Sequence, residues 1–393
     1  MKVISTGNKP IKMWLNDIED GALEQAKNLA NLPFVYKHIA IMPDSHQGYG
    51  MPIGGVMATK GVIVPNAVGV DIGCGMCAVK TSLTDIDVAT LKKIMGEIRK
   101  VVPVGFNHHN EPQSDDLMPR ITSFLALVPI VAQEYEKALY SLGTLGGGNH
   151  FIEIQKGDDG HIWIMIHSGS RSLGYKIAEH YNKVAVELNG KYHSIVPKEY
   201  QLAFLPIDSD EGQAYIREMN YCVDYALANR KLMMNRVKDV LMNNYSTSRN
   251  GLFMDNKIIN IAHNYARLES HFGKNVWVHR KGATSARKGE IGIIPGSQGT
   301  SSYIVEGKGN KESFMSCSHG AGRKMGRKQA QRELDLEDEK AMLDKQGIVH
   351  NIRNVKDLDE APSAYKDIDE VMDNQKDLVD ISVKLTPLGV IKG

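Results

Sequence analysis

Metal-binding side chains recur at the ends of apolar runs in this sequence. His167 closes the run at residues 162–166, and His263 closes the run at residues 258–262. The residues that end such runs are Asp44, His46, Asp71, Cys74, His150, His167, His263 and His319. Aspartate, cysteine and histidine differ in hardness as ligands, and a site for two metal ions needs a carboxylate or thiolate to neutralise and bridge them. Strand ends that meet at one place would build such a site.

A single histidine at the end of an apolar run is more often a hydrogen-bonded core residue than a ligand. The segment Asp71-Ile-Gly-Cys74-Gly is more specific. Glycines beside the polar pair leave little steric reason for it except access to a bound group. The spacing Cys74-x-x-Cys77 is also found in zinc and redox sites, but no second cysteine or histidine pair completes one here. We expect Cys77 to be a packed core residue.

Several nucleotide signatures are missing from the sequence. It has no G-x-x-x-x-G-K-[ST] loop, and the glycine run at residues 143–148 leads into Asn149 and His150 and not into a dinucleotide-binding helix. The Lys-x-Asp-Gly motif, by which ordinary nucleotidyl-transferring ligases form a lysine adduct, is also absent. If this protein carries a nucleotide covalently, another nucleophile must form the bond.

The elements that must position these side chains are both strands and helices. Strand-like apolar runs dominate residues 36–83, 150–170 and 258–320, and amphipathic patterns predict helices at 85–100, 115–141, 208–243 and 366–379, the last followed by a strand to Gly393. No repeat, low-complexity tract or linker divides the chain. We therefore expect one α+β domain over residues 1–393, with helical excursions near 85–141 and 174–245.

Composition is that of a globular protein. Of the 393 residues, 42% are hydrophobic and 24% are charged, and the longest apolar runs are far shorter than the roughly 20 residues that span a bilayer. The N-terminus is not a cleavable apolar segment, and four cysteines do not suggest a disulfide scaffold. These features favour a cytoplasmic protein with no membrane contact.

The net charge of +1 gives no general case for a nucleic-acid partner. Local basic clusters do occur, one at Arg280, Lys281, Arg287 and Lys288 and the other at Arg323, Lys324, Arg327, Lys328 and Arg332. Such clusters are usually solvated faces, so charge alone leaves RNA contact open.

Longer blocks of sequence carry a resemblance to a known family. They are Pro43-Asp44-Ser-His46, Val68-Gly-Val-Asp71-Ile-Gly-Cys74-Gly, Leu142-Gly-Thr-Leu-Gly-Gly-Gly-Asn149-His150-Phe151-Ile-Glu153, His167-Ser-Gly-Ser-Arg171, His263-Asn264-Tyr265, Arg280-Lys-Gly-Ala283, Pro295-Gly-Ser-Gln298, Ser316-Cys-Ser-His319-Gly-Ala-Gly-Arg323 and Ala364-Tyr365-Lys-Asp-Ile-Asp369. In these blocks and in their order, the chain resembles the RtcB RNA ligases over nearly its whole length.

The resemblance implies a single α+β domain with β-sheets and surrounding helices around a deep, metal-lined cleft. It implies a ligase that uses GTP and two Mn²⁺ ions to join an RNA 3′-phosphate or 2′,3′-cyclic phosphate to a 5′-hydroxyl, in tRNA splicing or RNA repair. RNA is then the partner, an archease-type activator is a candidate partner, and a monomer is expected. The shortness of the chain at residues 105–120 and 190–215 leaves the range of RNA substrates open.

The resemblance also implies residue roles. His319 would take GMP, with Asp44 orienting it. The metal ligands would be Asp71, Cys74, His150, His167 and His263, with Cys74 as the bridge. The nucleotide would contact Asn149, His150, Phe151, Ile152, Glu153, His263, Asn264, Pro295, Gly296, Ser297, Gln298, Ser302, His319, Gly320, Ala321, Gly322, Tyr365 and Lys392. The RNA would contact Arg171, Arg280, Lys281, Arg287 and Arg323.

Those residue types suit the chemistry. A neutral imidazole attacks phosphorus well, and a carboxylate on its other nitrogen fixes the tautomer and raises basicity. Guanine presents N–H donors beside its O6 acceptor, so Glu153 and Lys392 together could distinguish it from adenine. Ligand softness alone would favour zinc over manganese.

Two other functions stay open from the sequence. The metal ligands could activate water in a phosphoesterase that acts on RNA ends. The basic clusters could serve a non-catalytic RNA-binding protein with a structural metal. A phosphoesterase would turn over without GTP, and a binding protein would function without His319.

Overall fold

The computed structural model describes residues 1–5, 7–121, 127–245, 255 and 257–393. Within these residues the strands form a six-stranded sheet, a seven-stranded sheet and two short two-stranded ribbons, with helices packed around them. The predicted α+β class is confirmed.

The first sheet carries Asp44. Its strand order is β1 (Lys2–Ile4), β2 (Ile11–Met13), β3 (Val35–Tyr49), β4 (Met51–Thr59), β12 (Lys274–Lys281) and β11 (Asn264–His271). The pairing of β3 with β4 shifts register between Ile41 and His46, the segment that contains Asp44. Such irregularities redirect side chains, and here one turns a carboxylate inward from a strand.

The second sheet carries most of the predicted metal ligands. Its antiparallel order is β10 (Ile259–Ala262), β6 (Gly75–Lys80), β8 (Ile162–Ser168), β7 (Phe151–Gly157), β17 (Val379–Lys392), β15 (Ser302–Gly307) and β14 (Ile291–Ile294). Every residue of β8 is buried. A strand covered on both faces has the continuous apolar run that the sequence shows there.

The two ribbons are short. One pairs β5 (Val62–Ile63) with β9 (Leu205–Pro206), and the other pairs β13 (Ala283–Ser285) with β16 (Ser316–Ser318). The second ribbon positions the predicted nucleophile, because β16 leads directly into His319.

The helices are α1 (Asp20–Ala30), α2 (Val88–Val101), α3 (Pro129–Ser141), α4 (Arg171–Lys191), α5 (Asp210–Tyr245), α6 (Arg327–Glu333), α7 (Leu336–Lys345) and α8 (Ile368–Asp373). The predictions for 85–100 and 208–243 are confirmed by α2 and α5. The Asp87 side chain starts α2 by accepting hydrogen bonds from the backbone N–H groups of Ala89 and Thr90.

Two predicted helices differ from the structure. The prediction for 115–141 is correct only in its second half, since α3 begins at Pro129, a residue suited to the first turn of a helix. Before it lies a 3₁₀ turn at Asp115–Leu117, and residues 122–126 are outside the described residues. The helix predicted at 366–379 is shorter, because α8 ends at Asp373 and β17 already begins at Val379.

Helix α5 packs behind the sheets. Its 36 residues bury Tyr215, Met219, Cys222 and Ala226, at the spacing of one helical face. Among the residues that the structure describes, none of the helices has the length and apolar character needed to cross a membrane.

Candidate active site

Neighbouring strands of the second sheet bring four side chains to one edge. Because the strands are antiparallel, β6 and β7 begin at the edge where β8 and β10 end. Gly75, at the start of β6, pairs with Ser168 on one side and Ala262 on the other. The side chains placed at this edge are those of Cys74, His150, His167 and His263.

The donor atoms of these side chains converge. Cys74 Sγ lies 3.4 Å from His150 Nε2 and 3.2 Å from His167 Nε2. His167 Nε2 is 3.4 Å from His263 Nε2, and His150 Nε2 is 3.2 Å from Asp71 Oδ2. A thiol, imidazoles and a carboxylate directed at one another in this way form a donor set that fits a transition metal.

Backbone carbonyls select which imidazole nitrogen faces the cluster. His150 Nδ1 lies 2.9 Å from the Leu145 carbonyl oxygen, and His167 Nδ1 lies 3.2 Å from that of Asn149. A carbonyl only accepts, so Nδ1 holds the proton and Nε2 keeps its lone pair for a ligand. Among the described residues His263 Nδ1 is buried without a hydrogen-bond partner.

Burial sets the protonation of the cluster. It lowers the pKa of His167 and of His263 well below the ordinary value, so both imidazoles are neutral. Burial, reinforced by the Asp71 charge, raises the pKa of the Cys74 thiol well above its ordinary value. A metal bound here would therefore displace the thiol proton.

Two consecutive residues of α5 hold the loops that carry these metal-capable side chains. The Asn229 side chain accepts hydrogen bonds from the backbone N–H groups of Gly143 and Thr144, and it donates to the Gly169 carbonyl. Arg230 donates from Nη1 to the carbonyls of Gly73 and Ser168, at 2.9 and 2.8 Å. Neither residue was selected from the sequence, where both resemble ordinary residues of a helix.

His319 and Asp44 come together from different elements. Asp44 Oδ2 lies 2.7 Å from His319 Nδ1 and accepts hydrogen bonds from the backbone N–H groups of His319 and Gly320, at 3.0 and 3.2 Å. Burial alone would raise the pKa of the Asp44 carboxyl, but the adjacent imidazole holds it below its usual range. Gly322, at φ +74°, permits this approach because a Cβ there would collide with the Asp44 carbonyl.

The His319 ring also meets the metal-capable cluster. Its centroid lies 4.8 Å from that of His263, which lies 5.1 Å from that of His167. His167 is in turn 5.2 Å from His150. The imidazoles therefore form a row that leads from His319 to His150.

A cavity of about 670 Å³ opens over this row. The predicted nucleotide-contacting residues that line it are Asn149, Phe151, Glu153, Pro295, Gly296, Ser297, Gln298, His319, Gly320, Ala321, Gly322, Tyr365 and Lys392. The predicted residues outside this lining are His150, Ile152, His263, Asn264 and Ser302. Ile152 packs in the hydrophobic core because alternate residues of β7 face opposite sides.

Comparison with known proteins identifies the family of this chain. The family described as "tRNA-splicing ligase RtcB" matches residues 25–123 and 126–393. The chain belongs to the RtcB family. It is 38% identical to the RNA-splicing ligase RtcB of Escherichia coli, over all of this chain and 99% of that protein.

Relatives in other lineages are similar over comparable lengths. The tRNA-splicing ligase RtcB of Methanococcus maripaludis is 34% identical over 97% of this chain and 93% of its own length. The RNA-splicing ligase RtcB of Mycobacterium tuberculosis is 31% identical over 94% of this chain and its full length. Such coverage rules out a similarity confined to one motif.

One wall of the cavity in this RtcB chain holds a buried pair of polar side chains. Glu153 Oε2 accepts a hydrogen bond from Gln155 Nε2 at 2.5 Å, and both residues are buried on β7. Burial raises the pKa of Glu153 to about 8, although the Lys392 charge acts in the opposite direction. Burial lowers the pKa of Lys392.

Glu360 is a further cavity residue that the sequence did not single out. Its Oε1 lies 3.1 Å from Arg323 Nη1 and 3.0 Å from Arg327 Nε, and its Oε2 accepts a hydrogen bond from the Tyr365 hydroxyl. Only 3% of Glu360 is exposed. Its carboxylate thus orients two arginines and a tyrosine on the cavity wall, and no local pattern marks the position.

The structure corrects two of the predicted RNA contacts. Arg280 is fully buried, and its guanidinium donates to both Glu269 oxygens, at 2.5 and 3.1 Å. Lys281 is buried as well and donates to the carbonyls of Tyr49 and Asn66. Consecutive residues of a strand face opposite sides of a sheet, and the last four residues of β12 are all buried, so the sheet is covered on both faces at Arg280 and Lys281.

The other predicted RNA contacts differ in their surroundings. Arg287 is exposed and lies 3.2 Å from Glu269, and Arg323 lines the cavity. Arg171 donates from Nε to Thr144 Oγ1 and from Nη2 to the Gly105 carbonyl, so its guanidinium connects two loops of the site.

Proposed function

We propose that this chain is an RNA ligase that joins RNA 3′-phosphate or 2′,3′-cyclic phosphate ends to 5′-hydroxyl ends, with GTP as the second substrate and a guanylated His319 as the intermediate. The observation that carries the proposal is the contact of His319 Nδ1 with Asp44 at 2.7 Å, beside a metal-capable cluster. The names of its relatives, which are RNA-splicing and tRNA-splicing ligases, support the same reaction class.

Asp44 has a defined part in the first step. Its carboxylate accepts a hydrogen bond from His319 Nδ1–H, so the proton stays on Nδ1 and the Nε2 lone pair is free to attack. Nε2 would bond to the α-phosphorus of GTP while the bond from that phosphorus to the bridging oxygen breaks and pyrophosphate leaves. A 2′,3′-cyclic phosphate would first be opened by water to a 3′-phosphate. The guanylyl group would then pass from His319 to the 3′-phosphate, and attack of the 5′-hydroxyl on that phosphorus would form the new phosphodiester and release GMP.

The donor set would hold two manganese ions. The residues in this role are Asp71, Cys74, His150, His167 and His263. Bound manganese would offset negative charge on the reacting phosphates. Because a thiolate with imidazoles also suits zinc, zinc could occupy the same ligands without supporting the reaction.

The cavity fits a guanine nucleotide. The Glu153 carboxylate could accept from the N–H edge of guanine, and the Lys392 ammonium could donate to O6. Adenine would mismatch both groups. The glycines around His319 and at residues 296 and 299 let backbone N–H groups approach phosphate oxygens.

The test is covalent labelling. Metal-stripped wild-type protein and a His319→Ala variant are incubated with α-labelled GTP and either manganese or zinc, and the label that survives denaturation is measured. We expect the wild-type protein to retain label when manganese is added, and the His319→Ala variant to retain none. Absence of an adduct under every metal, with turnover of RNA ends in the absence of GTP, would instead make the protein a phosphoesterase.

The proposal extends to the cellular setting. It includes tRNA splicing or RNA repair in the cytoplasm, a monomeric enzyme and an archease-type activator. Sedimentation of the purified protein tests the monomer, and the rate of adduct formation with and without an added archease tests the activator.

A further inference from the structure

Phe106 is exposed to an unusual degree. Its side chain is 97% exposed, the highest value among the large hydrophobic residues that the structure describes. Folded proteins gain stability by burying phenylalanine, but a single exposed apolar side chain is common on a protein surface. What distinguishes Phe106 is the place of its loop in the fold.

The backbone on both sides of Phe106 is held in place. The Gly105 N–H donates to the Gly146 carbonyl at 3.0 Å, and the Gly105 carbonyl accepts from Arg171 Nη2 at 2.9 Å. On the other side, the His109 N–H donates to the Tyr140 carbonyl at 3.0 Å. The exposure of the ring therefore belongs to an anchored loop.

The side chains after Phe106 are anchored as well. His108 Nδ1 lies 3.1 Å from Ser141 Oγ, and His109 Nε2 lies 2.8 Å from Arg236 Nη1. These partners belong to α3 and α5, so the loop is attached to the helices behind the site.

The loop lies beside the candidate active site. Gly146, whose carbonyl accepts the hydrogen bond from the Gly105 N–H, belongs to the segment that leads to His150. A Cβ on Gly105 would lie 3.7 Å from Gly393, the residue after the cavity-lining Lys392. The loop is thus packed against the end of the imidazole row that is farther from His319.

We propose that the Phe106 ring stacks on a nucleobase of the RNA strand whose end lies at the metal-capable cluster. The inference rests on the proposed function. Single-stranded RNA is recognised largely by stacking of unpaired bases on aromatic side chains, and any base offers a face for this contact. A ring held in solvent next to the reacting end supplies such a surface.

The contact also affects substrate choice. A base must be unpaired to stack on Phe106, so RNA ends with a single-stranded overhang bind better than blunt duplex ends. The anchored loop lowers the ordering cost of the contact, because hydrogen bonds already hold the backbone on both sides of Phe106.

The test compares binding of RNA with and without the ring. The full chain and its Phe106→Ala and Phe106→Tyr variants are titrated against a fluorescent oligonucleotide with a 3′-phosphate, without GTP. Tyr192→Ala is the matched control, since Tyr192 is also an exposed aromatic residue and follows α4. That helix begins at Arg171 beside the site and, at about 1.5 Å per residue, places Tyr192 roughly 30 Å away.

We expect Phe106→Ala to bind about tenfold more weakly, and Phe106→Tyr and Tyr192→Ala to bind like the wild type. An abasic nucleotide is then placed at each position near the 3′ end in turn. At one position the abasic nucleotide should weaken RNA binding by the wild type by a similar factor. The same substitution should leave RNA binding by Phe106→Ala unchanged. Wild-type affinity in Phe106→Ala, or an abasic effect of equal size in both proteins, would overturn the inference.

A separate measurement distinguishes failure of the Phe106 inference from failure of the proposed function. Formation of the His319 adduct with labelled GTP needs no RNA, so Phe106→Ala should label as the wild type does. Normal labelling with unchanged RNA binding would refute only the role of Phe106. No labelling in the wild type would refute the proposed function, and the binding titration would still decide whether Phe106 contacts a base.

Discussion

Asp44 Oδ2 lies 2.7 Å from His319 Nδ1 and also accepts a hydrogen bond from the His319 backbone N–H at 3.0 Å. One carboxylate oxygen therefore orients both the ring and the backbone of the same residue. Asp44 comes from β3 and His319 follows β16, so the contact exists only when these two elements pack together.

The first prediction concerns this pair. Asp44→Asn keeps an oxygen that can accept from Nδ1 but removes the charge that makes Nε2 more basic. We expect the rate of adduct formation to fall about 100-fold while the KM for GTP changes little. Rapid-quench labelling over a range of GTP concentrations measures both quantities. An unchanged rate in a variant with a native circular dichroism spectrum would show that Asp44 does not act on His319.

The second prediction is a pH dependence. Because burial raises the pKa of Glu153 to about 8, the free protein at neutral pH holds this carboxyl mostly protonated. Guanine N–H groups need the carboxylate form, so the KM for GTP should fall as pH rises through about 8 and level off above it. Glu153→Gln should bind GTP weakly and lose this dependence. If the KM for GTP of Glu153→Gln depends on pH as that of the wild type does, the titrating group is not Glu153.

The third prediction concerns metal binding. Cys74→Ala should lose metal affinity, whereas Cys77→Ala should keep it because Cys77 is buried in the core. Since burial raises the pKa of the Cys74 thiol, metal binding should release a proton and strengthen as pH rises. Calorimetry in two buffers of different ionisation enthalpy counts the released protons. Equal metal affinity in both variants would contradict the role of Cys74.

The fourth prediction concerns Glu360. Burial alone would raise its pKa, but Lys392, Arg323 and Arg327 hold it below the ordinary value. A depressed carboxyl pKa stabilises the fold above the unfolded-state pKa and loses that effect as pH falls through the folded-state pKa. Glu360→Gln should therefore be less stable by roughly 1–3 kcal/mol at neutral pH, with a smaller difference in acid.

The control for Glu360 is Glu333→Gln on α6, where the side chain is exposed. Urea titrations at neutral and acidic pH give the free energies of unfolding. A stability difference for Glu360→Gln that does not shrink in acid would mean that its charge is not the stabilising factor.

The fifth prediction concerns Arg230. Replacement by methionine leaves the carbonyls of Gly73 and Ser168 without their donor inside the protein. We expect the free energy of unfolding to fall by roughly 2–4 kcal/mol, with weaker metal binding, because the loop before Cys74 loses its anchor. The adjacent Lys231→Met is the control, since Lys231 is exposed. Equal free energies of unfolding for the two variants would show that Arg230 does not stabilise the site.

Much of the candidate site was predictable from the sequence because its signals are local. A ligand type at the end of an apolar run, as at His167 and His263, can be read without knowing the fold. Alternation along β7 likewise separates Phe151 and Glu153 from Ile152, although the resemblance alone had grouped all three with the nucleotide.

Other features had no local signal. Asn229, Arg230 and Glu360 act through partners far away in the chain, such as Gly73 for Arg230. Arg280 and Lys281 look like a solvated basic cluster in the sequence, yet both are buried because the sheet is covered on both faces at the end of β12. Glu269 on β11 compensates the charge of the Arg280 guanidinium.

By itself, the sequence determined the α+β class, the RtcB family and the chemical types of the candidate metal-binding and nucleophilic side chains. These follow from residue identity and from apolar patterns over short stretches. Only the tertiary structure decided which charges are buried, which oxygen faces which imidazole nitrogen and which ring remains in solvent beside the cleft. The physical reason is that burial and hydrogen-bond pairing depend on groups brought together from distant parts of the chain.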